Sequence, residues 1–387
     1  MATAFPQSVV ELLQELVRIP SVNPDSATEA EHEFCGEQKV ARRVAELLRD
    51  LGADVHFDEV VDGRPNVIGT IPFNGAGEPK VRLLLAPHLD TVGISGMSID
   101  PFGGEIRDGK VWGRGASDTK GTAAAMLWCL HQMRDELATL PIEVTFVGLM
   151  GEETGQPGSI DFAQGYGDRY DFAIVGEPTE CDFVHAHKGC AWIEVAARGQ
   201  AAHASTPERG HNAIVDLARF VVGASGEFFD RLKRDYAHDV LGVPSLNIGE
   251  ISGGTRPNIV ADRARVMVDI RTTPNLADAD PTNLVREYLD ELGLKDCTLY
   301  EVANCKPMWT PEDNPVLQAL TKGTRGKLVT APWFCDGAHL GNGGIPSVAA
   351  GPGSIAQAHT KDEWIEIAAL EEGVEFYREC LLAVANA

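Results

Sequence analysis

The stretch that decides the fold is Val81–Val92, with the sequence VRLLLAPHLDTV. Its first six residues form a short apolar run ended by Pro87, which is typical of a buried central strand in a parallel sheet. Ligands of open α/β sheets bind at the carboxyl ends of the strands, and His88 lies at such an end. Asp90 is placed to accept a hydrogen bond from the second ring nitrogen of His88, as acidic partners of metal-binding histidines do. Taken alone, this tripeptide is more often a strand end followed by a turn.

Further acidic residues occupy equivalent places elsewhere in the chain. A strand predicted within 141–150 is followed at once by Glu152 and Glu153, and the next predicted strand is followed by Glu177. Asp118 stands just before a predicted helix. Because the carboxyl ends of parallel strands meet at one edge of a sheet, these side chains are predicted to converge with the histidine in a single crevice.

The rest of the chain is predicted to form an α/β domain that a second domain interrupts. Alternating apolar residues at 266–270 are typical of an antiparallel sheet with one exposed face. We therefore predict an inserted α+β domain over 185–302. The sequence on either side, 1–184 and 303–387, is predicted to form one catalytic domain with a mixed, largely parallel sheet.

Periodicity and turn residues place the individual elements. Helices are predicted over 9–16, 40–51, 122–137, 212–222, 281–292 and 367–384. Strands are predicted over 54–57, 67–71, 81–86, 141–150, 171–175, 191–197, 245–250 and 263–272. A long irregular loop is predicted over 93–117, with short loops at 75–77 and 336–339.

Composition excludes several classes of partner. The chain has 33 basic and 57 acidic residues, a net charge of −24, which argues against nucleic acid or an anionic membrane as a partner. No apolar run reaches the ~18 residues of a membrane span, and the first 20 residues lack the pattern of a secretory signal. The eight cysteines form no C-x-x-C pair, so a reducing cytoplasm is the expected location.

The candidate metal ligands combine two imidazoles with three carboxylates: His88, Asp118, Glu153, Glu177 and His359. This set, which lacks a thiolate, suits divalent cations such as zinc, cobalt or manganese. A catalytic zinc normally takes three protein ligands, so five are too many for one ion. They suit two divalent metals about 3.5–4 Å apart if one carboxylate bridges them.

Glu152, beside the candidate ligand Glu153, is predicted to be the general base. It would take a proton from the attacking water and pass it to the leaving amine. Each residue also has a simpler interpretation. The acidic pair could be a solvated charge run, Glu177 before Pro178 a turn residue, and His359 a lone surface histidine.

The ordered motifs of the chain resemble those of the M20 family of metallohydrolases. This family includes acetylornithine deacetylase, succinyl-diaminopimelate desuccinylase, aminoacylase and glutamate carboxypeptidase. The resemblance covers nearly the whole chain, and the ordered set is specific although no single motif is. The motifs are PHLDTV (87–92), GRGASDTKG (113–121), GEETG (151–155), VGEPT (175–179), AAHAS (201–205) and AHTKDE (358–363).

The resemblance implies a zinc-exopeptidase-like catalytic domain with two metal positions. His88, Asp118 and Glu177 would hold one zinc. Asp118 would bridge to a second zinc held also by Glu153 and His359. A cis peptide bond is implied after the bridging aspartate.

The resemblance also implies roles outside the metal ligands. The inserted domain would be a lid and dimerisation domain, and His203 would reach the active site of the partner subunit of a homodimer to polarise the scissile carbonyl. Asn258 and Arg271 would bind the substrate carboxylate, and Gly353 would line the pocket. An ordinary strand-end arginine is the alternative for Arg271. The residues implied to act in catalysis are Glu152, Asp90 and His203.

Three functions follow as hypotheses. The first is a cytoplasmic di-zinc amidohydrolase of the acetylornithine deacetylase or succinyl-diaminopimelate desuccinylase type, which removes the acyl group of an N-acyl amino acid by metal-hydroxide attack. The second is a dipeptidase or carboxypeptidase that uses the same centre. The third is a non-catalytic binding protein on this fold. The residues expected to shape the substrate pocket are Trp309, Trp333, Phe334, Cys335 and Asp336.

Overall fold

The computed structural model describes residues 5–75 and 77–387 and divides into two compact units. The first unit runs to His185 and resumes over Trp309–Val329 and Cys335–Ala387. The second unit comprises Ala186–Met308 and Thr330–Phe334. The functional roles that the sequence suggests for the two segments stay predictions.

Eight strands and four helices precede residue 188. They are α1 (Val9–Val17), α2 (Gln38–Asp50), β1 (Asp54–Val61), β2 (Arg64–Ile71), β3 (Val81–Pro87), β4 (Glu105–Arg107), β5 (Lys110–Trp112), α3 (Lys120–Leu137), β6 (Ile142–Gly148), α4 (Pro157–Tyr166), β7 (Phe172–Gly176) and β8 (Phe183–His187).

The chain continues through the second unit and back to the first. The second unit contains β9 (Gly189–Arg198), α5 (Ala213–Gly223), α6 (Phe229–Asp235), β10 (Ser245–Gly253), β11 (Arg263–Thr272), α7 (Pro274–Asp278), α8 (Pro281–Glu291) and β12 (Cys297–Cys305). The remaining elements are β13 (Met308–Trp309), α9 (Pro315–Gly323), β14 (Leu328–Ala331), α10 (Gly337–Asn342), β15 (Ser347–Ala349), β16 (Trp364–Glu366) and α11 (Ile367–Ala385).

The first unit is built on a mixed sheet with the order β1-β2-β6-β3-β7-β15-β8-β13. Its centre is parallel, because β3 pairs in parallel with both β6 and β7, and β7 pairs in parallel with β15. Strand β3 is buried along nearly its whole length, which confirms the predicted central strand. The predicted α/β class with a largely parallel sheet is therefore confirmed.

The core of the first unit is formed by this sheet together with helices α1, α2, α3, α9 and α11. Helix α3 packs against α1 and α11, and two thirds of its residues are buried. A helix that is apolar on most sides is one that is enclosed by its neighbours. Its N-terminus follows Asp118 directly, so the packing of α3 fixes one of the predicted ligands at the sheet edge.

Two loop predictions were wrong in part. The region 93–117 contains the hairpin β4–β5, which forms a three-stranded antiparallel sheet with β16. Residues 337–339 begin the short helix α10 instead of a loop. These elements have only three to six residues, too few for a periodic pattern to emerge between glycines. The predicted turn at 75–77 includes Ala76, which lies outside the described residues.

The second unit is an antiparallel sheet with the order β10-β11-β9-β12, covered by helices. Val266, Val268 and Ile270 of β11 point into its core, where they pack with residues of α5 and α8 such as Phe220 and Tyr288. The residues between them are not fully buried. The predicted antiparallel sheet with one exposed face is present.

None of the helices in the described part of the chain has the length and apolarity needed to cross a bilayer. The thiols of Cys129, Cys181 and Cys380 are free and buried. Burial raises the pKa of the Cys181 thiol to about 12, and the other two pKa values are raised for the same reason. Such thiols stay protonated and serve packing.

Two glycines of α4 offer a matched test of how this helix is seated. A Cβ on Gly158 would lie 2.3 Å from the main-chain oxygen of Met150, whereas a Cβ on Gly165 would meet nothing within 4 Å. We expect Gly158→Ala to destabilise the protein by about 1–3 kcal/mol through overpacking. Gly165→Ala should stabilise it by about 0.5–1 kcal/mol, because alanine favours the helix. Chemical denaturation measures both, and equal effects would contradict the close approach at Gly158.

Candidate metal centre

Four of the five predicted metal ligands lie within contact distance of one another. One ligand atom each from His88, Asp118 and Glu153 lies within 4.8 Å of the other two. The Nε2 atom of His359 is 2.9 Å from Glu153 Oε2 and 3.6 Å from Asp118 Oδ2. His359 follows Glu153 by 206 residues, so the fold and not the sequence brings the pair together.

Asp118 stands between the two imidazoles. Its Oδ1 atom is 3.1 Å from His88 Nε2, while its Oδ2 atom faces His359. A carboxylate whose two oxygens face different histidines has the geometry required of a bridging ligand. The peptide bond from Asp118 to Thr119 is cis, as the resemblance implied, and the Thr119 hydroxyl donates to the main-chain oxygen of His88 at 3.2 Å.

Glu177 is the fifth predicted ligand, and it is buried with 5% of its surface exposed. No described residue donates a hydrogen bond to its buried Oε1 atom. Burial, followed by the nearby carboxylate of Asp118, raises the pKa of Glu177 well above its usual value. A buried, unsatisfied carboxylate beside another carboxylate is in an environment that a cation would stabilise.

Glu152 lies in the loop after β6, beside the ligand Glu153. Burial raises the pKa of its carboxyl well above the usual value; Glu177 and Asp336 raise it further, and His88 lowers it. The main-chain N–H of Glu152 donates to Asp90 Oδ1 at 3.0 Å, so the loop is held while its acidic side chain remains available.

Asp90 contacts His88 through both its main chain and its carboxylate. The Nδ1 atom of His88 lies 3.0 Å from the main-chain oxygen of Asp90 and 3.4 Å from its carboxylate. The carboxylate also accepts hydrogen bonds from the main-chain N–H groups of Glu152 and Glu153, both at 3.0 Å, and from the Asn23 side chain at 2.7 Å. Burial opposes ionisation of Asp90, but His88 and these donors hold its pKa below the usual range. Asp90 therefore orients the loop that carries two site residues.

A second buried acid supports the same loop. Glu37 forms a two-point ion pair with Arg64, at 2.7 and 2.8 Å, and its Oε1 atom also accepts the main-chain N–H of Gly151 at 3.1 Å. Both side chains are nearly or fully buried. The sequence analysis missed this pair, since no local pattern links residues that are 27 positions apart.

Asp336, which was predicted to shape the substrate pocket, is fully buried next to the acidic cluster. Its Oδ1 atom accepts a hydrogen bond from the Ser159 hydroxyl at 2.5 Å. Burial raises the pKa of Asp336 to about 7, with the charges of Asp90 and Glu153 acting in the same direction. Asp336 is therefore a further buried acid whose pKa depends on the charge of the centre.

Of the predicted substrate contacts, only Gly353 lies in the same unit as the metal ligands. It has a φ of +87°, and a Cβ there would lie 2.7 Å from the hydroxyl of Ser117, the neighbour of Asp118. Its carbonyl accepts the N–H of Glu180 at 2.8 Å. Only glycine fits this close, left-handed position.

His203, Asn258 and Arg271 belong to the second unit. His203 and Asn258 are brought together there, because the N–H of Ala204 donates to the main-chain oxygen of Asn258 at 3.1 Å. The guanidinium of Arg271 pairs with Asp269 at 3.1 Å. The roles assigned to these three residues stay predictions.

The donor set fits divalent metal ions. Two imidazoles and three carboxylates meet in a largely buried place, and one buried carboxylate oxygen has no protein partner. Mutual repulsion in such a cluster is relieved when cations neutralise it. Because Asp118 faces both histidines, the set divides naturally into two positions that share this residue.

Residues 84–383 match the peptidase family M20/M25/M40. The chain belongs to this family. Curated relatives include the acetylornithine deacetylase of Proteus mirabilis, 31% identical over 372 residues that cover 94% of this chain and 93% of that protein. The acetylornithine deacetylase of Photorhabdus laumondii is 31% identical over 368 residues, 92% of each chain.

Solved M20 structures share the fold. The aminopeptidase PepT from Bacillus cereus has a TM-score of 0.77 at 21% identity and covers 97% of this chain and 98% of its own. The M20 metallo-carboxypeptidase Sso-CP2 from Sulfolobus solfataricus has the same score and identity, with coverage of 99% and 100%. The M20 peptidase YXEP of Bacillus subtilis, described as dinuclear and metal-binding, has a TM-score of 0.69 at 15% identity, with 98% of both chains covered.

Membership in the M20 family makes the chain a metal-dependent hydrolase that acts on amide bonds of small molecules. The predicted family and enzyme class are thereby confirmed. The hypothesis of a non-catalytic binding protein is not retained, because the candidate ligands and Glu152 are all present. The identity of the metals and of the acyl group is a further question.

Replacing Glu177 should have opposite effects on stability in the metal-free and in the zinc-loaded protein. In metal-free protein near neutral pH, Glu177→Gln should raise the melting temperature, because folding brings a carboxyl that is ionised in the unfolded chain into a site that disfavours its charge. The gain should shrink as the pH falls and Glu177 becomes protonated in both states. Zinc at about 100 times its Kd should stabilise the wild type by about 2.7 kcal/mol per site and the variant by less.

The control for this experiment is Glu371→Gln, at an exposed position on α11. We expect that substitution to change stability by less than about 0.5 kcal/mol with or without zinc. A metal-free Glu177→Gln protein that melts below the wild type would show that Glu177 is stabilised by the protein itself. That result would contradict its assignment as a metal ligand.

Proposed function

We propose that this protein is a di-zinc amidohydrolase that removes the acyl group from an N-acyl amino acid. The observation that carries the proposal is the cluster around Asp118, with His88 on one of its oxygens, His359 on the other and Glu152 beside it. The acetylornithine deacetylases, at 31% identity over more than nine-tenths of each chain, support the N-acyl amino acid as the substrate class.

The metal ligands divide into two sets in this proposal. His88, Asp118 and Glu177 would hold one zinc, and Asp118, Glu153 and His359 would hold the other. Zinc ions bound there would polarise the amide carbonyl and make water more acidic. Cobalt and manganese are alternatives, since both accept imidazole and carboxylate ligands. The description of YXEP as dinuclear agrees with two positions.

The protein's own contribution to the reaction centres on Glu152. Its carboxylate takes one proton from the water whose oxygen adds to the acyl carbon. When the carbon–nitrogen bond breaks, Glu152 returns that proton to the nitrogen, so the products are a carboxylic acid, ionised at neutral pH, and a free amine. Asp90 keeps the Glu152 main chain in place through its hydrogen bond to that N–H.

The second unit is proposed to act as a lid and as the dimerisation domain of a homodimer. His203 would then complete the active site of the partner subunit, where its imidazole stabilises the oxygen of the scissile carbonyl. Asn258 and Arg271 would hold the substrate carboxylate, which requires Arg271 to exchange Asp269 for the ligand. Gly353 would line the acyl pocket. The buried free thiols support a reducing cytoplasm as the location.

The alternative is a dipeptidase or carboxypeptidase that uses the same centre. The names of PepT and Sso-CP2 are consistent with it, but at 21% identity these structures show the fold alone. The same residues could hydrolyse the amide bond of an N-acyl amino acid or a peptide bond. The acyl group of the substrate therefore distinguishes the two functions. A direct comparison of substrates therefore tests the proposal.

The first experiment measures amine release from zinc- or cobalt-loaded protein with a substrate panel. The panel holds N-acetylornithine, N-succinyl-diaminopimelate, other N-acetyl amino acids and simple dipeptides. We expect rapid release from one N-acyl amino acid, abolished by a chelator and restored by zinc. Release from dipeptides alone would replace the deacylase with a peptidase. If the protein binds no metal and releases no amine from any substrate of the panel, the mechanism is contradicted.

The assignment of the base is tested by Glu152→Ala. We expect turnover to fall by about 10²–10⁴-fold, because the proton transfers lose their positioned carrier. Metal content and melting temperature should stay close to those of the wild type, since Glu152 is not a ligand in this proposal. Near wild-type turnover would show that another group carries the proton.

The trans role of His203 is tested by mixing two inactive proteins. Glu152→Ala and His203→Ala subunits should recover part of the activity when they exchange, because some hybrid dimers contain one intact site. Labelled subunits confirm that exchange has occurred. Inactive mixtures after confirmed exchange would contradict catalysis across the dimer.

A further inference from the structure

One buried carboxylate, that of Glu363, is enclosed by the loop that carries Asp118. Its Oε1 atom accepts the main-chain N–H groups of Ser117 and Asp118, each at 2.8 Å. Its Oε2 atom accepts the N–H of Gly115 at 2.9 Å and the guanidinium of Arg114 at 3.0 Å. All four donors come from five consecutive residues, so a single side chain fixes the whole turn that presents Asp118.

The same residue belongs to the segment that presents His359. Glu363 lies four positions after His359, and its main-chain oxygen accepts the N–H of Gly113 at 3.0 Å. Arg114 completes the link, because it donates to the main-chain oxygen of Thr360 at 3.2 Å as well as to Glu363. The segment that carries Asp118 is thus joined to the segment that carries His359 at three points. These are the side chain of Glu363, its main-chain oxygen and the main-chain oxygen of Thr360.

His359 depends on this link more than the other predicted ligands do. Its side chain is 59% exposed, whereas the side chains of His88 and Asp118 are 1% and 8% exposed. Its backbone has a φ of +57°, and its ring pairs with two acids of the centre, Glu153 and Asp118. Little packing therefore fixes the ring, and its place is set by the anchoring of its own segment.

We propose that Glu363 is a positioning residue that sets the separation between Asp118 and His359, and thereby the affinity of the metal position these two share with Glu153. The inference rests on the two-metal site proposed above. The position held by His88, Asp118 and Glu177 should depend on it less, because His88 and Glu177 follow strands of the buried sheet.

The variant Glu363→Gln removes the charge and turns an amide N–H₂ toward groups that are themselves donors. The neighbouring Asp362 accepts the main-chain N–H of Ser98 at 2.7 Å. This hydrogen bond should keep the segment attached in the variant. Glu363→Asp keeps the charge with a shorter reach. Glu366→Gln, on an exposed residue of the same strand β16, is the matched control.

The experiment titrates zinc into each metal-free protein against a competing chelator, with metal content and melting temperature measured in parallel. We expect two zinc ions in the wild type and in Glu366→Gln. In Glu363→Gln one of the two affinities should change by less than about 3-fold, and the other should fall by about 10–100-fold. The zinc affinities of Glu363→Asp should lie between those of the wild type and of Glu363→Gln. Excess zinc should restore the activity of Glu363→Gln.

Each other outcome overturns the inference in a recognisable way. Two unchanged affinities in Glu363→Gln, or equal losses at both positions with a lower melting temperature, would leave Glu363 a purely structural residue. If Glu363→Gln does not fold, Glu363→Asp decides, and wild-type zinc binding by that variant overturns the proposal. A wild type that binds fewer than two zinc ions would overturn the two-metal function itself and this inference with it.

Discussion

The structure depends on how it tolerates several carboxylates in one buried place. Asp118, Glu153 and Glu177 crowd around two imidazoles, and burial alone makes their ionised forms costly. Three other buried acids, Glu37, Asp90 and Glu363, lie next to this cluster and have no place in the proposed ligand set. Each accepts main-chain N–H groups from a loop that carries a proposed ligand or the proposed base. The loops are thus held by buried carboxyl groups, and the proposal assigns the inner carboxylates to cations.

This arrangement explains why the site can be both rigid and reactive. The loop after β6 is held by Asp90 at two N–H groups and by Glu37 at a third, so the backbone that carries Glu152 and Glu153 is fixed. The Glu153 carboxylate is also held directly, by the N–H of Val92 at 3.1 Å and by the ring of His359 at 2.9 Å. A base that must move a proton between two atoms benefits from a fixed backbone and an unrestrained carboxylate. The ring of His359 is the exposed member of the cluster, and its segment has anchors of its own in Arg114, which donates to Thr360, and in Gly113, which donates to Glu363.

Much of the fold and the site could be predicted from sequence, because acids and a histidine directly after apolar strands must meet at one sheet edge. The order of motifs then indicated the family. What could not be predicted depends on distant partners. The carboxylate of Asp90 binds the backbone of Glu152 and Glu153 in addition to lying 3.4 Å from the His88 ring, and Glu363 finds its four donors about 250 residues earlier in the chain. The hairpin β4–β5 and the helix α10 are too short to leave a periodic pattern.

The central claim is that Asp118 bridges two metals. Crystals of the zinc-loaded protein, measured on both sides of the zinc absorption edge, test it directly through anomalous difference density. The account predicts two peaks about 3.5–4 Å apart, with one Asp118 oxygen on each, His88 and Glu177 on one metal and Glu153 and His359 on the other. A single peak at full zinc occupancy, or two peaks with Asp118 bound to only one, would contradict it.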